Sequence, residues 1–387
     1  MKAGKRKNGE GSWGEKVING KKYKRFRSPE GKDFYGKTEK EVKKKYEIWK
    51  ESNIELDYTS NKITLNEIGE EWLKSKRKHI KASTYDGYEY FVYDILKKGT
   101  GYDLGNMQIQ NIKEDNVQAY VDSWTDFLPK SSMRKNKALL NQIFMYAKRK
   151  KLVRDNYIQY VKLPIDDSIA KTTKPHVFIS TNDILLLEEE EQRKFSNGVR
   201  VYGNNAKIVI FLLHTGMRFG ELTALQWKNV DLEKKNIFIT RNMPIIKNRD
   251  ENDSRRYILD ETSPKRKSSE RYIPLSDKAI EILKYFKENY PSKKDDYVFK
   301  NDNNELANRR NVARTLKAML KSAHCTVTDA SPHDLRHSFG SELIKNGVDI
   351  KVVSDLLGHK DIQTTYNIYI HILSEQKVNA IDVFNHR

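Results

Sequence analysis

The sequence predicts an α+β, multidomain chain. A small N-terminal three-stranded sheet plus a helix comes first, then a four-helix unit, then a larger mixed, mainly α domain with a small antiparallel sheet. Three observations predict this. Residues 13–35 alternate in polarity around the two-residue turn signal Asn19-Gly20. Residues 64–162 carry apolar side chains at helical spacing almost throughout. Residues 163–182 place Pro164 and Pro175 among polar residues, which reads as a linker. The length of 387 residues holds two or three domains of roughly 100–200 residues each.

Trp13, Val17 and Ile18 open the first strand, and Asn19-Gly20 suits a hairpin because both positions tolerate positive φ. Tyr23, Arg25 and Arg27 alternate with Lys24 and Phe26 in the second run. Phe34-Tyr35 follows the Pro29-Glu30-Gly31 turn as a third short strand. Thr38 and Glu41 have capping-box spacing, so a Lys-rich helix through Trp49 is expected. Residues 51–63 read as a linker. Thr64 and Glu67 form a second capping box ahead of Ile68, Trp72 and Leu73. Ser83-Thr84 is a candidate cap for the next helix, with Tyr88, Phe91, Val92 and Ile95 on it. Val117 to Trp124 and Leu139 to Ala147 mark the third and fourth. The last domain opens with helices, passes through the strand-like runs 237–239, 256–259 and 271–275, and ends helical.

Composition narrows the function class. The net charge is +19, and residues 1–50 hold 17 Lys and Arg against 7 Asp and Glu. Such an excess points to a polyanion, usually nucleic acid. Lys21, Lys22, Lys24, Arg25 and Arg27 on the sheet are candidate DNA contacts, as are Ser83, Thr84, Arg134, Lys135 and Lys137 in the helical unit. Each run also reads as a solvated basic face. No segment approaches the ~18 apolar residues of a membrane helix, and no apolar stretch follows the basic start, so neither a membrane span nor a signal peptide is expected. A single cysteine, Cys325, excludes an internal disulfide and a cysteine-rich zinc module and suits a reducing cytoplasm.

Chemistry concentrates late in the chain. Ser331 suits an N-cap and Pro332 the first helical position, which puts His333 and Arg336 in a helix start that attracts anions. The helix dipole disfavours a protonated His333. Gly216 suits the stop of the apolar helix 208–213, leaving Arg218 in a tight turn, where it faces either a bound anion or Glu221. Gly358 stops another helix just before His359. Asp361 is a candidate cap for a helix carrying Thr365 and Tyr369 on one face. Taken singly, each has an ordinary structural explanation.

Together, Thr215-Gly216-Met217-Arg218-Phe219-Gly220-Glu221-Leu222, Ser331-Pro332-His333-Asp334-Leu335-Arg336-His337, Leu356-Leu357-Gly358-His359 and Thr364-Thr365-Tyr366-Asn367-Ile368-Tyr369 resemble the motifs of the tyrosine recombinase (phage integrase) family. Pro264-Lys265-Arg266-Lys267 before Arg271-Tyr272-Ile273-Pro274-Leu275 looks like that family's lysine hairpin, with Arg266 where a Thr is frequent. The likeness is greatest to integrases of conjugative transposons. Residues 1–60 look like an arm-type DNA-binding domain, 64–165 like the helical core-binding domain and 175–387 like the catalytic domain.

The resemblance implies catalytic roles for Arg218, Lys265, His333, Arg336, His359 and Tyr369. Both arginines would clamp the phosphate, Tyr369 would form a 3′-phosphotyrosyl link, and Lys265, with Lys267 as alternative, would protonate the leaving 5′-oxygen. Tyr366 is the alternative nucleophile, since His359 and Tyr369 are ten residues apart where some members have nine. The bond energy is kept in the ester, so no cofactor or metal is expected. Expected partners are double-stranded DNA at core and arm-type sites, three further copies in a homotetramer, and an excisionase or host DNA-bending protein, in the bacterial cytoplasm at the nucleoid. A resolvase or invertase, a type IB topoisomerase and a non-catalytic DNA-binding protein are the other readings.

Overall fold

The computed structural model describes residues 11–18, 20–29, 31–52, 63–164, 177–261, 270–290 and 292–370. The chain divides into two compact units, Met1–Thr173 and Lys174–Arg387.

In the first unit, β1 (Ser12–Ile18), β2 (Lys21–Arg27) and β3 (Asp33–Gly36) form an antiparallel sheet in that order. Gly20 adopts φ +75° at the predicted turn, while Asn19 lies outside the described residues. Trp13 pairs with Phe26, and Phe26 with Phe34. Their rings cover one sheet face together with Tyr46 and Trp49 of α1 (Glu39–Ser52), with centroids 4.9 Å apart for Phe26–Tyr46 and 5.3 Å for Phe34–Trp49. Thr38 caps α1 as expected, its Oγ1 accepting from the Glu41 amide at 3.2 Å.

The helical part contains α2 (Leu65–Lys76), α3 (Ala82–Tyr90), α4 (Glu114–Asp122) and α5 (Lys130–Arg149). Thr64 and Glu67 close the predicted capping box on α2. The start of α3 differs from expectation. Its cap is Lys81, whose extended backbone (φ −62°, ψ 146°) makes the break, and Ser83 and Thr84 lie inside the first turn without capping it. Beyond Tyr90 the helix widens into a π segment, Phe91–Leu96, which turns Phe91, Val92, Ile95 and Leu96 into the core. They meet Trp72, Tyr120, Trp124 and Phe144 there, all fully buried.

The second unit is built around α7 (Gly203–Thr215), buried along nearly its whole length. It packs against α6 (Thr181–Gln192), α9 (Asp277–Asn289), α10 (Arg309–Ser322) and α11 (Pro332–Lys345). A continuous apolar stretch, residues 208–213, fits that central position, since every one of those side chains is buried. Its one buried cation, Lys207, is matched by Glu191 of α6 at 2.7 Å. α8 (Phe219–Thr223) follows α7 directly, α12 (Ile350–Leu357) follows α11, and residues 362–370 form α13.

Two separate small sheets stand where one was expected. β4 (Val230–Asp231), β5 (Asn236–Ile239) and β8 (Arg271–Pro274) form one antiparallel sheet, while β6 (Ile245–Lys247) and β7 (Tyr257–Leu259) form a hairpin of their own. β4 and β6 are too short to show a period in the sequence.

Candidate active site

Ser331 caps α11, its Oγ accepting from the His333 amide at 3.3 Å, and the Asp334 carboxylate reaches back to the Ser331 amide at 2.8 Å. That reciprocal box sets His333 in the first turn and Arg336 one turn further. Arg336 is 1 % exposed. Its Nη1 donates to the Gly216 carbonyl at 2.8 Å and its Nη2 to that of Leu357. Burial, then the charge of Arg218, pulls its pKa down to about 9. His333 is exposed, and its ring lies edge-on to His337 with centroids 4.7 Å apart. Desolvation of the ring, then the Arg336 guanidinium, hold its pKa below the usual histidine value, which favours a proton acceptor.

Gly216 ends α7 in the left-handed conformation, φ +58°. A β-carbon there would lie 2.4 Å from the Phe339 ring, so only glycine lets this turn pack on α11. Arg218 is the N-cap of α8. Its side chain, 37 % exposed, donates through Nη1 to Glu221 Oε1 at 2.7 Å. The local ion pair therefore exists, and it orients Arg218 at the edge of the site.

The sequence points to Glu221 as a local partner of Arg218, but not to Arg271, which shares that carboxylate. The buried Glu221 carboxylate takes four donors. Oε1 accepts from Arg218 Nη1 and, at 3.1 Å, Arg271 Nη1. Oε2 accepts from the Arg218 amide at 2.9 Å and Arg271 Nη2 at 2.8 Å. Burial alone would raise the Glu221 pKa, but the hydrogen bond and charge of Arg271, with Arg218 and Arg336 behind, hold it at about 2. The capping-box spacing of Arg218 and Glu221 was the available signal; Arg271 carries none, because its partner lies fifty residues away.

Three successive carbonyls at the end of α12 each accept from a different arginine. Leu356 takes Arg271 Nε at 2.6 Å, Leu357 takes Arg336 Nη2, and Gly358 takes Arg218 Nη2 at 3.2 Å. Cations suit a helix C-terminus, where unsatisfied carbonyls carry partial negative charge. His359 follows immediately, its Nδ1 2.8 Å from Thr365 Oγ1. Desolvation, then Arg336 and Arg218, push its pKa down to about 3, so its imidazole is neutral at ordinary pH.

Tyr369 shares a face of α13 with Thr365, and both are fully buried. It packs with Ile344, Val353 and Leu357, and the Phe178 ring lies 6.3 Å away. Its hydroxyl has no hydrogen-bond partner among the described residues. Burial pushes its pKa up to about 12 against the pull of Arg336. Lys265 and Lys267 lie outside the described residues, as do residues 371–387. Arg218 and His333 line a cleft of about 360 Å³ together with Arg309, the first residue of α10 and another missed cation.

The basic candidates of the first unit divide by strand alternation. β2 points Lys22, Lys24 and Phe26 to the α1 side and Lys21, Tyr23, Arg25 and Arg27 to the open face. Lys24 pairs with Glu15 at 2.7 Å and Arg25 with Asp33 at 2.8 Å. On α5, Arg134 and Lys135 are exposed, and Lys137 donates to the Val161 carbonyl. Ser83 is exposed and Thr84 half-buried. No helix among the described residues is long and apolar enough to cross a membrane.

The profile of the Phage integrase family matches residues 188–376, and that of the Phage integrase, N-terminal SAM-like domain, matches residues 64–125. A tyrosine recombinase XerC-like protein of Caldanaerobacter subterraneus subsp. tengcongensis is 29% identical, over 95% of this chain and 97% of that protein. The transposase from transposon Tn916 of Enterococcus faecalis is 25% identical, over 84% of this chain and 78% of that protein. The Tn1549 transposon integrase, solved with transposon right end DNA, superposes with a TM-score of 0.65 at 21% identity, over 83% of this chain and 99% of that one. On the two profile matches and the convergence of Arg218, Arg336, His333, His359 and Tyr369, the chain belongs to the phage integrase family of tyrosine site-specific recombinases.

Proposed function

We propose that this recombinase integrates and excises a mobile DNA element, with the six residues singled out in the sequence as its catalytic set. The observation that carries the reading is the meeting of Arg218, Arg336 and His359 around the end of α12, with His333 beside Arg218 on the cleft and the Tyr369 phenol against Gly340, four residues past Arg336 on α11. Arg218 and Arg336 hold the non-bridging oxygens of the scissile phosphate and stabilise the charge of the pentavalent transition state. The phenol oxygen of Tyr369 attacks phosphorus, and the bond to the 5′-oxygen breaks. Neutral His333 receives the phenol proton, Lys265 protonates the departing 5′-oxygen, and His359 orients the phosphate. A 5′-hydroxyl of the partner strand then reverses the attack, and four protomers pair two sites.

Residues 1–60 bind arm-type DNA through the open face of the sheet, residues 64–165 hold the core site, and residues 175–387 carry the chemistry. Ser83, Thr84, Arg134, Lys135 and Lys137 contact the core duplex. An excisionase or host DNA-bending protein sets direction, and the reaction takes place on DNA in the bacterial cytoplasm. Similarity to transposon relatives supports the mobile element as substrate.

Nicked suicide duplexes carrying the joined ends of the element that encodes the chain provide the test. Wild-type protein should accumulate a covalent DNA adduct, and Tyr369→Phe should give none. An adduct that persists in Tyr369→Phe and disappears in Tyr366→Phe would reassign the nucleophile.

A further inference from the structure

We propose that Arg271 is a positioning residue for Arg218: by neutralising Glu221 it keeps the Arg218 guanidinium available to a phosphate. The inference rests on the catalytic reading above and names the group that makes Arg218 competent. Arg271 itself cannot meet DNA, because its side chain is 7 % exposed and its Nε, Nη1 and Nη2 are all directed at protein acceptors. Arg218 is the accessible member of the pair, at 37 %.

Glu221 is the pivot between them. A buried carboxylate demands compensation, and Arg271 supplies it through a two-pronged contact on both oxygens. Arg218 then needs only one guanidinium nitrogen, Nη1, on that carboxylate. Its Nη2 reaches the Gly358 carbonyl at 3.2 Å, a long bond that a phosphate oxygen can replace. Without Arg271, Glu221 keeps its charge and its burial but loses its larger partner. The remaining acceptor capacity falls on Arg218, which turns both nitrogens to Glu221 and withdraws from the cleft.

Arg271 does a second thing with the same planar fork. Its Nε fixes the Leu356 carbonyl at 2.6 Å, one turn end away from His359. Gly358 permits this approach, since a β-carbon there would fall 2.9 Å from Arg271 Nη1. A lysine offers one point of charge and cannot span both Glu221 oxygens and a carbonyl together.

The test uses the full-length protein on the suicide duplex, where wild-type cleavage checks the catalytic reading separately. Arg271→Met should lower the rate of adduct formation by about 100-fold while leaving DNA affinity within about threefold. Arg271→Lys, which keeps the charge, should lie between the two. Adding Glu221→Gln to Arg271→Met should recover about tenfold of the lost rate, because a neutral amide no longer captures Arg218. A merely structural arginine predicts the opposite, a double variant as slow as or slower than Arg271→Met, and that result overturns the proposal. So does wild-type cleavage by Arg271→Met, or a defect confined to DNA affinity. A crystal structure of Arg271→Met decides independently of activity: Arg218 should sit two-pronged on Glu221 and off the Gly358 carbonyl, and an unmoved Arg218 overturns the proposal.

Discussion

The Tyr369 hydroxyl rests directly on Gly340 of α11, so close that a β-carbon on residue 340 would lie 2.1 Å from the oxygen. The helix that presents His333 and Arg336 thus also holds the phenol, and only a glycine leaves room for it. Gly340→Ala should displace Tyr369 and cost about 1–3 kcal/mol of stability through overpacking. Denaturant unfolding of the two proteins measures it, and an unchanged midpoint would show that the phenol does not occupy this place.

Tyr369→Phe should behave oppositely in stability. The hydroxyl is buried without a partner among the described residues, so its removal spares a desolvation cost of about 1 kcal/mol. Equal or higher thermal stability is expected alongside the complete loss of covalent adduct. A clear drop in stability would mean that the hydroxyl is hydrogen-bonded in solution.

His359 makes a pH prediction. Its pKa falls from 6.5 to about 3 on folding, so between those values the unfolded chain binds a proton that the folded chain refuses. Stability therefore decreases as pH falls through that window and is insensitive to this group above it. His359→Gln, which keeps a polar side chain beside Thr365, should flatten the decline. Parallel stability curves for the two proteins from pH 7 to 4 would contradict it.

Glu191 is fully buried and faces Lys207 at 2.7 Å and Arg200 at 2.9 Å. Glu191→Gln leaves the buried Lys207 ammonium without its counter-charge, which should destabilise the protein by about 3 kcal/mol. Loss of less than half of that in chemical denaturation would show that Lys207 sheds its proton or finds water.

The open sheet face makes a salt-dependence prediction. Arg27→Ala should reduce the slope of log affinity against log salt on arm-type DNA by about 0.9, the value of one released counterion. Lys24→Ala should leave the slope alone, because Lys24 lies on the α1 side and pairs with Glu15 at 2.7 Å. Equal effects from the two would show that both faces of the sheet meet DNA.

Local signals carried much of this molecule. Thr38, Thr64 and Ser331 are caps within three residues of the groups they satisfy, and Gly216 and Gly358 stop helices by adopting positive φ. Those features are legible because donor and acceptor lie in one stretch of chain. The start of α3 was read two residues late, since Ser83 and Thr84 are good capping residues that the backbone break at Lys81 leaves inside the helix. The hairpin β6–β7 was half visible, because three residues are too few to set a period.

The sequence by itself determined the succession of sheet, helical unit and mixed domain, the basic N-terminal sheet and which arginines, histidines and tyrosine to watch, since cap chemistry, polarity period and charge are properties of neighbouring residues. Only the tertiary structure decided how those side chains are held. It bound Glu221 to both Arg218 and Arg271, gave each of three arginines its own carbonyl at the end of α12, and closed Tyr369 over Gly340. Burial and the field of distant charges set their ionisation, and neither exists until segments fifty to a hundred and forty residues apart have packed together.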